Sequence, residues 1–269
     1  MSSKTISEPP WWGDFEFNHD QCKEWRIDSL SLLVRHLDGE WQIAYQRFDN
    51  SADTENTIEI TDSTQLPETL KNNSRYIFRK TKGLLSVLPL TADRPVIARP
   101  HTPFNLTAGE EAVLYVSTPL WIQLAVGSSP IKVLESIAIN QPSDTWFGPS
   151  TLEGELCYAT KTHCKLNLAD ISHRPHRVLT PVFVRNQADT TLAIERLNIP
   201  APLLAIFSAD DGKLWTPGVT LTREKDGDMA KLKIDKKPPK EARNCRLVSK
   251  PRSDADSTIF IRAFNTVFN

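Results

Sequence analysis

Five side chains within twenty residues have the chemistry to hold zinc: Cys157, His163, Cys164, His173 and His176, in the stretch CYATKTHCKLNLADISHRPH. Thiolate and imidazole are the preferred donors of a tetrahedral zinc site, so the inventory suffices. The spacing does not. No CxxC pair occurs, and His163 and Cys164, adjacent on an extended strand, would face opposite sides. The same strand would hold Cys157 and His163 roughly 20 Å apart across their six-residue gap. Pro175 between the two later histidines disfavours a regular helical pair. These residues are therefore expected to be ordinary strand and loop positions, with no metal and no cofactor.

A second chemistry is electrostatic. Residues 231–252, KLKIDKKPPKEARNCRLVSKPR, carry 9 Lys and Arg against 2 acidic residues, a balance of +7. Residues 1–70 carry 14 Asp and Glu against 5 Lys and Arg, a balance of −9. Such a run is either a solvated loop near the acidic half or a docking patch for an anionic partner. Lys236, Lys237, Lys240, Arg243 and Arg246 are the candidate binding residues of the second reading. Single-stranded nucleic acid would also want aromatic rings for stacking, and none lies between Lys231 and Ile259. Specific nucleic-acid binding is not expected.

Trp11 and Trp12, with Trp25 and Trp41, raise a third possibility, an aromatic platform for a sugar or another ligand. The competing reading tucks these rings into the core, where most aromatic residues of β-proteins lie. Familiar catalytic constellations are missing. There is no G-x-S-x-G elbow, no G-x-x-x-x-G-K-[ST] loop, no G-x-G-x-x-G and no H-E-x-x-H. This argues against the familiar enzyme classes, although a folded site can be assembled from distant residues.

The elements that must position these groups read as strands. Residues 102–131 have only Glu110 and Glu111 as charges and divide into apolar runs at 104–107, 112–117 and 120–126. Strands this apolar on both faces belong at the centre of a sheet or sandwich. Asp-Gly pairs at 38–39, 211–212 and 226–227 mark tight hairpins. Folding about Asp38-Gly39 places His36 opposite Trp41, Val34 opposite Ile43 and Leu32 opposite Tyr45, all on one face. Around Asp226-Gly227, Val219 and Leu221 precede the turn while Ala230, Leu232 and Ile234 follow it with the same period of two. Further strands are expected at 14–17, 57–60, 75–79, 84–88, 95–98, 131–139, 178–185, 190–197, 202–207 and 257–264. Pro67–Asn72 supports one turn of helix at most. The chain is expected to be all-β, with two sandwich-like antiparallel modules and little helix. Pro, Ser and Gly concentrate over 140–154, suggesting a module at 1–140, a linker at 141–154 and a module at 155–269.

With 39% apolar and 24% charged residues in a chain of 269, the composition is that of an ordinary folded protein. No window reaches the roughly 18 apolar residues of a membrane span. The N-terminus lacks an apolar secretory core, which predicts a cytoplasmic address, and Cys22, Cys157, Cys164 and Cys245 read as free thiols there.

Three segments carry a resemblance. They are Trp12-Gly-Asp-Phe-Glu16, the run from Ala98 to Trp121 (ARPHTPFNLTAGEEAVLYVSTPLW), and Glu195–Pro200 continued by Leu214-Trp215 and Val219–Arg223. Together they resemble an uncharacterised archaeal and bacterial family classed as a domain of unknown function, over most of the chain. The resemblance implies a soluble prokaryotic protein without catalytic residues to carry over. It also implies an accessory role at a membrane protein, peripherally associated with a small mechanosensitive-type channel.

The expectation is thus a non-enzymatic cytoplasmic adaptor or regulator that binds another protein. The alternative is a small-ligand or carbohydrate-binding β module, or an enzyme whose site has no familiar motif.

Overall fold

The computed structural model describes residues 10–48, 58–63, 72–127, 130–150, 152–225, 227, 229–254 and 259–264. The protein is all-β. Among the described residues the only helical turns are two 3-10 turns, Leu168–Asp170 and Ala201–Leu203. In chain order the strands begin with β1 (Gly13–Glu16), β2 (Cys22–Ile27), β3 (Leu30–Leu37), β4 (Glu40–Arg47), β5 (Ile58–Ser63) and β6 (Asn72–Ile77). Next come β7 (Leu84–Leu90), β8 (Val96–Pro100), β9 (Phe104–Leu106), β10 (Glu111–Pro119), β11 (Trp121–Val126) and β12 (Lys132–Ala138). They continue with β13 (Ser143–Phe147), β14 (Glu155–Cys164), β15 (Arg177–Asn186), β16 (Leu192–Ile194), β17 (Leu197–Ile199) and β18 (Ile206–Ser208). The last are β19 (Leu214–Trp215), β20 (Val219–Arg223), β21 (Met229–Ile234), β22 (Arg246–Ser249) and β23 (Ile259–Arg262). The helical turn expected at 67–72 falls outside the described residues except for Asn72, which opens β6.

Two compact units share the chain. The first comprises residues 1–89 and 121–141, the second 90–120 and 142–269. The segment 141–154, expected as a linker, contains β13, which pairs with β14 inside the second unit. The apolar run at 102–131 supplies both units: β9 and β10 belong to the second, β11 to the first.

The first unit holds a five-stranded sheet, β5-β2-β3-β4-β6, and a four-stranded sheet, β1-β7-β11-β12. Gly39 has φ +70, the left-handed turn geometry that a Cβ disfavours, and the β3–β4 register runs through Leu32↔Tyr45, Val34↔Ile43 and His36↔Trp41 as expected. The two sheets meet through rings: Phe15 of β1 packs edge-on against Trp25 of β2 at 5.1 Å, and Phe17 against Trp41 at 5.1 Å. Trp25 Nε1 donates to the Trp11 carbonyl at 3.2 Å. Burying an aromatic or branched side chain contributes roughly 1.5–3 kcal/mol, so these rings with Leu85, Val87, Ile122 and Leu124, all 0% exposed, dominate the stability of the unit.

In the second unit β15 organises an eight-stranded sheet. Along one edge it pairs antiparallel with β10 from Glu111↔Arg185 to Pro119↔Arg177. Its other edge is shared by two parallel partners, β19 at Val178 and Leu179 and β20 at Val182–Asn186. The chain continues β20-β21-β23 to one side and β19-β18-β22 to the other. Gly212 (φ +78) turns the β18–β19 hairpin, and β20 pairs with β21 through Leu221↔Leu232, the period-two face read around Gly227. A four-stranded sheet, β13-β14-β8-β17, and the β9–β16 pair complete the unit. Their buried residues Ala98, Leu106, Cys164, Leu192, Ile194 and Leu197 join Leu114, Val116, Val182, Val184 and Leu221 of the large sheet in one core.

Candidate interaction surface

The basic run is built, not loose. Its first two lysines, Lys231 and Lys233, occupy exposed alternate positions of β21, where Ala230 and Leu232 face the core. The chain then turns through Pro238 and Pro239, with Ala242 N donating to Pro239 O at 3.1 Å. Three ties hold this loop. Tyr115 of β10 donates its hydroxyl to Glu241 at 2.8 Å, and the Asn244 amide donates to Asp210 at 2.5 Å. Ala242 and Cys245 pack on the apolar cluster of Leu179, Ala209 and Trp215. Burial and the facing Glu241 carboxylate push the Tyr115 phenol up from its ordinary value, so it stays a donor. Asn244 takes φ +48, the left-handed conformation that asparagine tolerates better than most residues.

Lys236, Lys237, Lys240, Arg243 and Arg246 are all exposed on this scaffold. Lys236, Lys237 and Lys240 form no ion pair with a described residue. Arg246 opens β22, the edge strand of the large sheet, and Leu247 beside it is 53% exposed. Four described acids of the N-terminal segment pair with Lys or Arg of their own unit. Asp20 pairs with Arg35, Asp62 with Lys23 at 3.0 Å, Glu24 with Arg26 at 2.9 Å, and Glu40 with Arg75 in a two-pronged contact at 2.5 and 2.9 Å. Arg75, with help from Gln42, holds the Glu40 carboxyl down at about 2.

Trp11 lies in the core with its ring 1% exposed, and Trp12 is half-buried. Trp25 and Trp41 are fully buried. A platform built on Trp11 has no face to offer. Near Trp41 the chain leaves a shallow cleft of about 600 Å³ lined by Asp38, Glu40, Phe78, Arg79, Lys80 and Thr81. Thr81 Oγ1 there accepts from Trp41 Nε1 at 2.8 Å. The one strongly shifted acid in the cleft, Glu40, is already neutralised by Arg75, which suits it to structure and not to proton transfer.

The sulfur and imidazole groups are dispersed. Cys157 is buried with Ile97 and Phe147, whereas Cys164 sits in the main core of the unit. Burial pushes both thiols up to about 12, leaving them protonated. His163 and Cys164 do take opposite faces of β14, one exposed and one buried. The His163 ring meets His101 edge-on at 5.5 Å. His173 is drawn below its ordinary value by burial and by Lys213, and His176 is buried elsewhere. Among the described residues no three His, Cys, Asp or Glu side chains come together in a metal-binding set.

Sequence reasoning missed two polar constellations in the second unit. In one, the Tyr158 hydroxyl bonds Asp93, Arg94 lies 5.3 Å over the Tyr158 ring and pairs with Asp144 at 3.2 Å, and Arg252 donates to Thr91 O at 2.8 Å. Burial pulls the Arg252 guanidinium down and raises the Tyr158 phenol. In the other, buried Arg223 donates to Asn186 Oδ1 at 3.2 Å and to Thr190 O at 3.0 Å. Their members are up to 161 residues apart, and no local spacing announces such a contact. Both are self-satisfied ties between loops and strands and present no activated nucleophile.

Among the described residues no helix is long and apolar enough to cross a membrane. No curated protein and no solved structure matches the chain. One protein-family model does, over residues 11–269, so the chain belongs to DUF432, a family described as protein of unknown function.

Proposed function

We propose that the protein is a non-enzymatic adaptor or regulator that binds another protein through the basic surface of residues 231–252. The observation that carries this reading is the rigid presentation of Lys236, Lys237 and Lys240. They project from a loop anchored at Tyr115, at Asp210 and on an apolar cluster, and form no ion pair with a described residue. Anchoring lowers the ordering cost of binding, and unneutralised lysines steer an acidic surface into place. Asp20, Glu24, Glu40 and Asp62 of the first unit pair with cations of that same unit. The partner is a protein with an acidic face, and the setting is the cytoplasm, at the periphery of a membrane channel.

The test is affinity capture by the tagged full chain from soluble and membrane fractions, read by quantitative mass spectrometry. A stoichiometric partner should be released as salt rises from about 0.15 to about 1 M, where the screening length shrinks from about 8 to about 3 Å. The triple variant K236E/K237E/K240E should lose at least tenfold of that partner. Equal capture by parent and variant removes the basic surface from the function.

A further inference from the structure

We propose that the partner of the basic surface presents an apolar side chain flanked by carboxylates, and that Leu247 is the residue that selects it. This inference rests on the reading of residues 231–252 as a protein-binding surface and names the chemistry of what binds there.

An apolar row crosses the large sheet beside the basic loop. Residues opposed across neighbouring strands share a face, and the registers set Leu179 beside Trp215, Trp215 beside Phe207, and Phe207 beside Leu247. The inner end of this row is covered. Leu168 and Ile171 pack on the cluster of Leu179, Ala209 and Trp215, and so do Ala242 and Cys245 of the loop that carries the lysines. Leu179 and Trp215 are accordingly buried. The outer end is open. Phe207 is half-buried, and Leu247 on β22, the last strand of the path, is 53% exposed. A lone exposed leucine needs no explanation. This one is the open end of a packed row, two residues beyond Cys245, which packs on the same row.

Charge around the open end has one sign. Residues 243–252 contain four Lys and Arg and no Asp or Glu. Arg243 and Lys250, on either side of Leu247 in the chain, are exposed and form no ion pair with a described residue. Three nearby acids are engaged elsewhere: Asp210 accepts from Asn244 at 2.5 Å, Asp211 pairs with Lys213 at 2.8 Å, and Glu241 accepts from Tyr115 at 2.8 Å. A purely acidic partner would meet the cations and leave Leu247 wet. A purely apolar one would cover Leu247 but desolvate Arg243 and Lys250 without a counter-charge, which is costly. A segment whose apolar side chain sits between carboxylates satisfies both, apolar centre on apolar centre and rims of opposite sign together.

The test is fluorescence anisotropy of two labelled peptides of equal negative charge, one with leucine and phenylalanine between its acids, its twin with serine in their place. The full chain is titrated from about 1 to about 500 µM, with circular dichroism confirming that each variant is folded. The apolar peptide should bind the parent about tenfold more tightly than its twin. Leu247→Ser, which changes no charge, should cut that advantage to within about twofold and leave the twin's affinity as it was. K236E/K237E/K240E should weaken both peptides and preserve their ratio. Twins bound equally by the parent, or an advantage that survives Leu247→Ser, overturns the inference. So does a parent that binds neither peptide, whether or not it binds phosphatidylserine vesicles. Twins that bind alike and are both weakened by the triple variant leave the basic surface standing without Leu247. Peptides bound equally by parent and triple variant sink the basic surface itself, and this inference with it.

Discussion

Replacing Asn186 with alanine should unfasten the second unit from within. The side chain is 0% exposed. Its amide donates to Leu106 O at 2.9 Å, Thr107 O at 3.1 Å and Thr190 O at 2.8 Å, and its carbonyl accepts from Arg223 Nη1 at 3.2 Å. One residue therefore stitches the strand β9, the turn after it, the loop before β16 and the guanidinium of β20. Alanine deletes four hydrogen bonds. The severest penalty, an orphaned buried group, is largely avoided. Thr107 O still accepts from Glu110 N at 3.3 Å, Thr190 O from Arg223 at 3.0 Å, and Arg223 keeps Gly227 O at 3.2 Å. The cost then approaches the net value of about 1 kcal/mol per bond, or roughly 3–4 kcal/mol after discounting for shared partners. Against a typical stability of about 5–15 kcal/mol that is a large loss. Asn186→Asp is informative beside it: a carboxylate would gain the Arg223 contact but turn an acceptor toward three carbonyl oxygens, and should destabilise as well. Urea denaturation followed by circular dichroism gives the magnitude, and hydrogen exchange gives the location. Protection should fall first in peptides covering 104–110 and 187–194. A loss below about 1 kcal/mol, or exchange rising equally in both units, would refute the reasoning.

Two further outcomes follow from the charges and thiols. Glu40 is held at about 2, below the ordinary 4.5, so its contribution to stability is complete above 4.5 and is lost as pH falls from there toward 2, because the unfolded chain takes up the proton first. Thermal melts of parent and Arg75→Gln between pH 6 and 2 should converge on acidification; a constant gap would show that the pair is not the cause. Iodoacetamide at pH 8 should label half-exposed Cys245 before buried Cys157 and Cys164, whose thiols burial raises to about 12, and peptide mass spectrometry showing either buried thiol modified first in the native protein would contradict the core assignment.

The all-β class was legible because its signals are local. Asp-Gly turns and period-two alternation depend on neighbours within a few residues, and the β3–β4 register and the buried faces of β20 and β21 followed directly from them. The opposite facing of His163 and Cys164 was also legible, since alternation along one strand sends adjacent side chains to opposite faces. Trp11 posed a choice between platform and core that its type could not settle; the answer depended on Trp25, whose indole bonds its carbonyl. Likewise a Pro- and Ser-rich stretch reads as a linker, yet 143–147 became a strand because β14 offered it a ladder. Most of all, the division of the chain into two interleaved units was decided by pairing across distance. β10 is drawn to β15 by nine residue pairs more than 55 positions away, while the next strand, β11, pairs with β12 in the other unit. The sequence by itself determined the all-β class and, where turn and alternation signals are local, which segments extend and which face each would bury. Partner choice among strands, and with it the loop that carries the lysines and the row that ends at Leu247, belonged to the tertiary structure, because ladder hydrogen bonds are made by a backbone that every residue shares.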